Sequence, residues 1–117
     1  MISDVFCKII NKELPAEVVW EDADVLAIKD IHPQAPVHIL LLPKRHLDIL
    51  HTTSHSDLDV LGKLLLAAGT VARTLGVAKQ GYRLIINQGA NAGQLVPHLH
   101  IHLLAGKKLG AKIVHDK

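Results

Sequence analysis

Residues 96–105 read VPHLHIHLLA. Histidine and apolar residues alternate through His98, Leu99, His100, Ile101, His102 and Leu103. Side chains on a β-strand point to opposite faces in turn, so a period of two is a strand pattern and not a helical one. The pattern predicts a strand that buries Leu99, Ile101 and Leu103 and places His98, His100 and His102 together on the other face. A chain built this way needs a sheet with a core on one side and a polar site on the other.

Three clustered imidazoles first suggest a metal. Alternate residues of a strand lie roughly 7 Å apart, so His98 and His102 would be separated by roughly 13 Å. Zinc holds its nitrogen ligands at about 2 Å. Neighbouring members could share one ion, but all three could not without a bend. The alternative is an anion site, because imidazoles titrate near neutrality, donate hydrogen bonds to phosphate and attack phosphorus. The preceding QGANAGQ (88–94) supports it, since Gly89 and Gly93 let the backbone turn its N–H groups toward an anion. It has no Lys-Ser/Thr and is not a Walker motif.

Elsewhere the elements are short. FCKIINKEL (6–14) has helical spacing and should stop at Pro15. EVVWE and DVLAIKD read as strands joined by an acidic turn at Glu21-Asp22, IHPQAP as a loop, and VHILLLP as a central strand. GYRLIIN (81–87) is a further strand. From about Ser56 to Leu75 the chain reads as one long helix, capped by Ser56 and closed by Gly76. It carries two apolar stripes, Leu58–Leu61–Leu65–Ala68–Ala72–Leu75 and Val60–Leu64–Ala67–Val71. One stripe suffices to cover a sheet. The second fits either a deeply buried helix or a helix–helix dimer contact, and spacing leaves both open. Short connections favour an antiparallel sheet, hence an α+β fold.

Hydrophobic residues make up 49% and charged residues 21% of the chain, a proportion that buries a core and argues against disorder. The net charge is +2, with one Trp, one Tyr and one Phe. No basic, aromatic platform for a nucleic-acid strand follows, so an anionic partner should be small. No run approaches the roughly 18 apolar residues of a membrane helix, and the first residues lack a secretory pattern. The single cysteine, Cys7, excludes an internal disulfide and fits a reducing compartment. The expectation is a cytoplasmic protein with no nucleic-acid or membrane partner.

The His-x-His-x-His motif, with FCKIINKELPAEVVWED, AIKDIHPQAPVHILLLPKRH and GYRLIINQGANAGQLVPHLHIHLLAGKKLG, resembles the histidine-triad (HIT) family and its Hint branch across nearly the whole chain. The resemblance implies a single HIT-like domain over 1–117: an antiparallel sheet with one long helix and a short N-terminal helix, the sheet extended across a two-fold homodimer. It implies a nucleotide hydrolase acting on purine nucleoside 5′-phosphoramidates, and on aminoacyl-adenylates in some cases, through a nucleotidyl-histidine. The alternatives are a dinucleoside polyphosphate hydrolase and a non-catalytic nucleotide-binding or scaffold protein.

By the same resemblance His100 is the nucleophile and His102 donates to the phosphate. His98 and His38 support them. Spacing alone would make His38 an ordinary buried histidine of an apolar strand. Asp30, beside Ile31, matches the acid that grips the ribose. Asn87 and the backbone near Gly93, Gln94 and Leu95 would hold the phosphate. Phe6, Ile9, Leu14, Leu26 and Ile28 correspond to the purine slot, a role that overlaps with plain core packing. Leu95 stands where many Hint proteins carry a serine thought to assist the leaving amine, and AKIVHDK replaces a longer tail. Some bacterial relatives hold zinc with two cysteines, a histidine and the first triad histidine. Cys7, His46 and His98 match, while Asp4 replaces the second cysteine. Zinc chemistry allows such a set, but the expectation is that no cofactor is required, with a structural zinc as the lesser alternative. His32, His51, His55 and His115 are expected at the surface.

Overall fold

The computed structural model describes residues 4–111; His115 lies outside them. A short helix, α1 (Val5–Ile10), opens the fold. The Asp4 side chain caps it by accepting from the Cys7 N–H at 2.7 Å. It ends sooner than its apolar spacing predicts, because Lys12 takes a left-handed conformation (φ 64°) before Pro15 is reached. Strands β1 (Val18–Glu21), β2 (Val25–Lys29) and β3 (Val37–Pro43) follow. The β1–β2 turn is acidic, but it centres on Asp22, whose carboxylate accepts from the Asp24 and Val25 N–H groups.

The long helix is α2 (Leu58–Thr74). Its entry is not set by Ser56. Ser54 and Asp57 form a reciprocal capping box on the turn before it, and the Asp57 carboxylate also pairs with Arg45. At the far end Gly76 (φ 76°) closes the helix as predicted. The Val77 N–H reaches the Ala72 carbonyl and the Gly76 N–H that of Arg73, a Schellman arrangement.

Strands β4 (Arg83–Ile85) and β5 (Ile101–Ala105) complete a five-stranded antiparallel sheet of order β1-β2-β3-β5-β4. One face packs on α2: Val25, Ala27, Ile39, Leu41, Leu99, Ile101 and Leu103 meet Leu64, Ala67, Ala68, Val71 and Ala72. On the other face Leu26, Ile28, Leu40 and Leu42 pack against Phe6 of α1. With both faces covered, β3 is buried almost throughout, which is why VHILLLP does not alternate. The α+β expectation therefore holds. Of the two helical stripes, Val60–Leu64–Ala67–Val71 faces the sheet together with Ala68 and Ala72, whereas Leu58, Leu65 and the neighbouring Leu66 are 60, 57 and 74% exposed.

Gly106 ties the end of β5 to the loop that leads into β3. Its φ is 95°, and a Cβ there would lie 2.9 Å from Pro36 Cβ. Gly106→Ala is expected to cost about 2–4 kcal/mol, left-handed strain plus overpacking against a rigid ring. A lower urea midpoint at unchanged slope would register it.

Candidate active site

The register explains how two strands present one polar site. Leu40 pairs with His102 across β3 and β5, and His38 pairs with Leu104. His38 and His102 are therefore diagonal neighbours on the face away from α2. Their rings approach to 2.9 Å between His38 Nε2 and His102 Nδ1. His100 lies just before β5, with its ring 5.1 Å from that of His102 and edge-on to Phe6 at 5.0 Å.

His98 keeps the predicted face, its ring 6.0 Å from that of Phe6 on α1, but it lies ahead of the strand and not in it. β5 starts only at Ile101, because Pro97 offers no N–H and the approach to β5 is tied differently: the His98 N–H turns back to the Val96 carbonyl and the Leu99 N–H bonds to Leu47. His98 is fully buried, and its ring nitrogens face Pro43 on one side and Asp4 and Cys7 on the other. Its contribution to the triad is its main-chain carbonyl, which lies 2.7 Å from His100 Nδ1. A carbonyl only accepts, so Nδ1 carries the hydrogen and, in the neutral ring, the His100 lone pair sits on Nε2.

A cavity of about 550 Å³ opens beside these rings. His100, His102, Asp30, Asn87 and Gly93 line its polar end, and Phe6, Ile9, Leu14 and Ile28 its apolar wall; Ile31 and Leu95 are rim residues, 84 and 92% exposed. Besides the buried His98, three of the expected residues do not line it. Leu26 is packed behind the wall. His38 reaches the cavity only through His102 and Asp30. Gln94 braces the glycine loop, accepting from the Gly89 N–H and donating to the Val96 carbonyl. The wall also includes Pro15, Ala16, Leu40 and Val96, which sequence reasoning missed; they carry no chemical signature, although Leu40 falls in alternation with His38. His32, His51 and His55 are exposed, as expected.

The protonation pattern is specific. Burial lowers the His102 pKa to about 4, helped by the adjacent His100 and His38 and opposed by Asp30. Burial also lowers His38, against the pull of Asp30. Both rings are held neutral in the fold but are free to protonate near pH 6.5 once unfolded. The stability they confer is thus present above pH 6.5 and lost as the pH falls toward 4. The melting temperature is expected to decline across that window, and His102→Asn to make the decline shallower in a calorimetric pH series.

Asp4, Cys7, His46 and His98 form a second cluster, their donor atoms all within 4.8 Å of one another. Cys7 Sγ lies 3.3 Å from His46 Nδ1 and 3.5 Å from His98 Nδ1, while Asp4 Oδ2 lies 3.4 and 3.3 Å from the same nitrogens. A tetrahedron with its centre about 2.0–2.3 Å from each donor has edges of about 3.3–3.8 Å. Four residues thus stand at the spacing of zinc ligands. His98 Nε2 donates to the Pro43 carbonyl, so the Nδ1 of the neutral ring turns a lone pair toward the Asp4 carboxylate. Asp4 Oδ2 is buried without a hydrogen-bond partner. Two electron-rich atoms face to face fit a cation between them.

The HIT domain family profile matches residues 11–109. An HIT-like protein of Synechocystis is 52% identical over 103 residues, covering 88% of this chain and 90% of the relative. The purine nucleoside phosphoramidase of Escherichia coli K12 is 40% identical over 111 residues, covering 95% and 93%. A HIT family hydrolase from Clostridium thermocellum superposes with a TM-score of 0.91 at 49% identity, covering 97% of this chain and 99% of that structure. The chain belongs to the HIT family. It is an enzyme of that family's hydrolase kind, with His100 and His102 lining the cavity described above.

Proposed function

We propose that the protein hydrolyses purine nucleoside 5′-phosphoramidates to the nucleoside monophosphate and an amine. The observation that carries this is the His98 carbonyl on His100 Nδ1, which leaves Nε2 as the nucleophilic nitrogen of a ring lining the cavity. Nε2 attacks the α-phosphorus, the P–N bond breaks, and the nitrogen takes a proton from solvent and departs as the amine. Water then cleaves the phosphorus–histidine bond and restores the ring. His102 donates to the phosphate as charge accumulates on it. Asn87 and the backbone at Gly93 hold the same group, and Asp30 accepts from the ribose hydroxyls. The apolar wall around Phe6 takes the purine. Leu95 has no donor, so the leaving amine receives no help from that position. The likeness to the E. coli phosphoramidase supports this substrate class over a dinucleoside polyphosphate.

A homodimer joined through the exposed leucines of α2 and the edge strand β4 belongs to the same reading, as does a cytoplasmic location. The edge position of β4 and the exposure of Leu65, Leu66, Leu84 and Ile86 support the dimer. No helix among the described residues is long and apolar enough to cross a membrane. The reaction requires no metal. Asp4, Cys7, His46 and His98 would hold a structural zinc that pins α1, and with it Phe6, to the sheet.

Acid-quench trapping with labelled adenosine phosphoramidate tests the reading. The expected result is label on His100. Turnover of a dinucleoside polyphosphate with no cleavage of the P–N substrate would overturn it.

A further inference from the structure

His102 can donate to a phosphate from Nε2 only if its Nδ1 is an acceptor, and the residues behind it decide that. The Gln34 backbone N–H donates to His38 Nδ1 at 3.0 Å. A backbone N–H cannot accept, so the one hydrogen of the neutral His38 ring sits on Nε2. That hydrogen has two acceptors in reach, His102 Nδ1 at 2.9 Å and Asp30 Oδ2 at 3.3 Å. The first makes His102 an Nε2–H donor aimed at the substrate. The second leaves Nδ1 of His102 without a donor and frees the ring to take the other tautomer.

Asp30 is engaged on both oxygens. Its Oδ1 already accepts from the His32 N–H at 2.8 Å, which fixes the carboxylate at the head of the 30–36 loop. Oδ2 faces His38, and Asp30 also lines the cavity. A ribose hydroxyl arriving there shares Oδ2 with His38 and makes it a weaker acceptor for the His38 proton. The 2.9 Å approach of the two rings is also shorter than the roughly 3.3 Å between two nitrogens on one zinc, so a shared proton fits it better than an ion does.

We infer that Asp30 is a positioning residue as well as the sugar acceptor: a ribose hydroxyl on Oδ2 weakens it as an acceptor for His38, whose proton then goes to His102 and sets it to donate to the phosphate. This rests on the reading that Asp30 grips the ribose. Its consequence is a preference for ribonucleotides that shows in the rate of the chemical step and not only in binding. A site that merely binds sugar would show the preference in KM alone.

The experiment compares adenosine 5′-phosphoramidate with its 2′,3′-dideoxy analogue in single turnovers at saturating enzyme, in the wild type and in Asp30→Asn. Asparagine keeps an oxygen for the His32 N–H but removes the anionic competitor. In the wild type the dideoxy analogue should react about tenfold more slowly, a fraction of the 10²–10³ lost when an oxyanion donor is deleted outright. In Asp30→Asn the dideoxy rate should rise above its wild-type value, and the two substrates should converge. Loss of fold lowers rates, so a rise cannot come from damage. Equal saturating rates in the wild type, or a dideoxy rate that Asp30→Asn fails to raise, would overturn the inference. A second readout does not depend on turnover. AMP, and not 2′,3′-dideoxy-AMP, should move the ¹⁵N shift of His102 Nδ1 toward that of a stronger acceptor, and identical shifts would also overturn it. If the riboside is not cleaved at all, the phosphoramidase reading fails, while the shifts still decide the coupling.

Discussion

His100→Ala is expected to lower kcat for adenosine phosphoramidate by about 10⁴–10⁶-fold, the scale on which removal of a covalent nucleophile acts in other hydrolases. KM should change far less, because the cavity wall of Phe6, Ile9, Leu14 and Ile28 and the carboxylate of Asp30 remain in place. The fold should survive, since the only polar partner of the ring among the described residues is the His98 carbonyl. The comparison with His102→Ala is what makes the result diagnostic. Loss of one donor to the developing charge costs about 10²–10³, so His102→Ala should be the milder change and should still form the labelled adduct. An adduct in His100→Ala, or a greater loss in His102→Ala, would show that the nucleophile has been misassigned. Quench-flow kinetics with mass mapping of the adduct checks both variants.

The sheet, the long helix and the inward face of Leu99, Ile101 and Leu103 were legible because alternation and helical spacing are local properties of the chain. The start of β5 was not: Pro97 and the cross-link from Leu99 to Leu47 replace the ladder before Ile101, so His98 keeps its face beside Phe6 but is buried under α1 ahead of the strand. The helix cap failed for a related reason. Ser54 and Ser56 are equally plausible in sequence, and the choice was made by Asp57, whose carboxylate serves both the Ser54 N–H and Arg45. In the site, resemblance supplied residues that spacing would have left in the core, above all His38. It did not supply the proton order of His38 and His102, which depends on one main-chain N–H at Gln34. Backbone donors have no sequence signature, so that part of the site becomes readable only in three dimensions.

Chelation should have the largest effect on stability. If Asp4, Cys7, His46 and His98 hold zinc, the ion links the N-terminal cap of α1 to the chain after β3 and to the approach to β5. Metal present at a thousandfold excess over its dissociation constant adds about 4 kcal/mol to the folded state. For a chain of this size that corresponds to about 10–20 °C in melting temperature. Protein prepared without chelator should carry one zinc per chain by elemental analysis and lose that margin in EDTA. Cys7→Ala should remove both the zinc and the response to EDTA, because burial pushes the thiol pKa up and only a bound cation would favour its thiolate. Asp4→Cys supplies a softer ligand at the same corner and should bind zinc more tightly, although it weakens the cap on Cys7. Because α1 also carries Phe6 against the His100 ring, chelation should raise KM for the nucleotide while the wild-type protein stays folded below its new melting temperature. Metal-free protein with an unchanged melting temperature and unchanged KM would show that the four side chains are held by hydrogen bonds and packing alone.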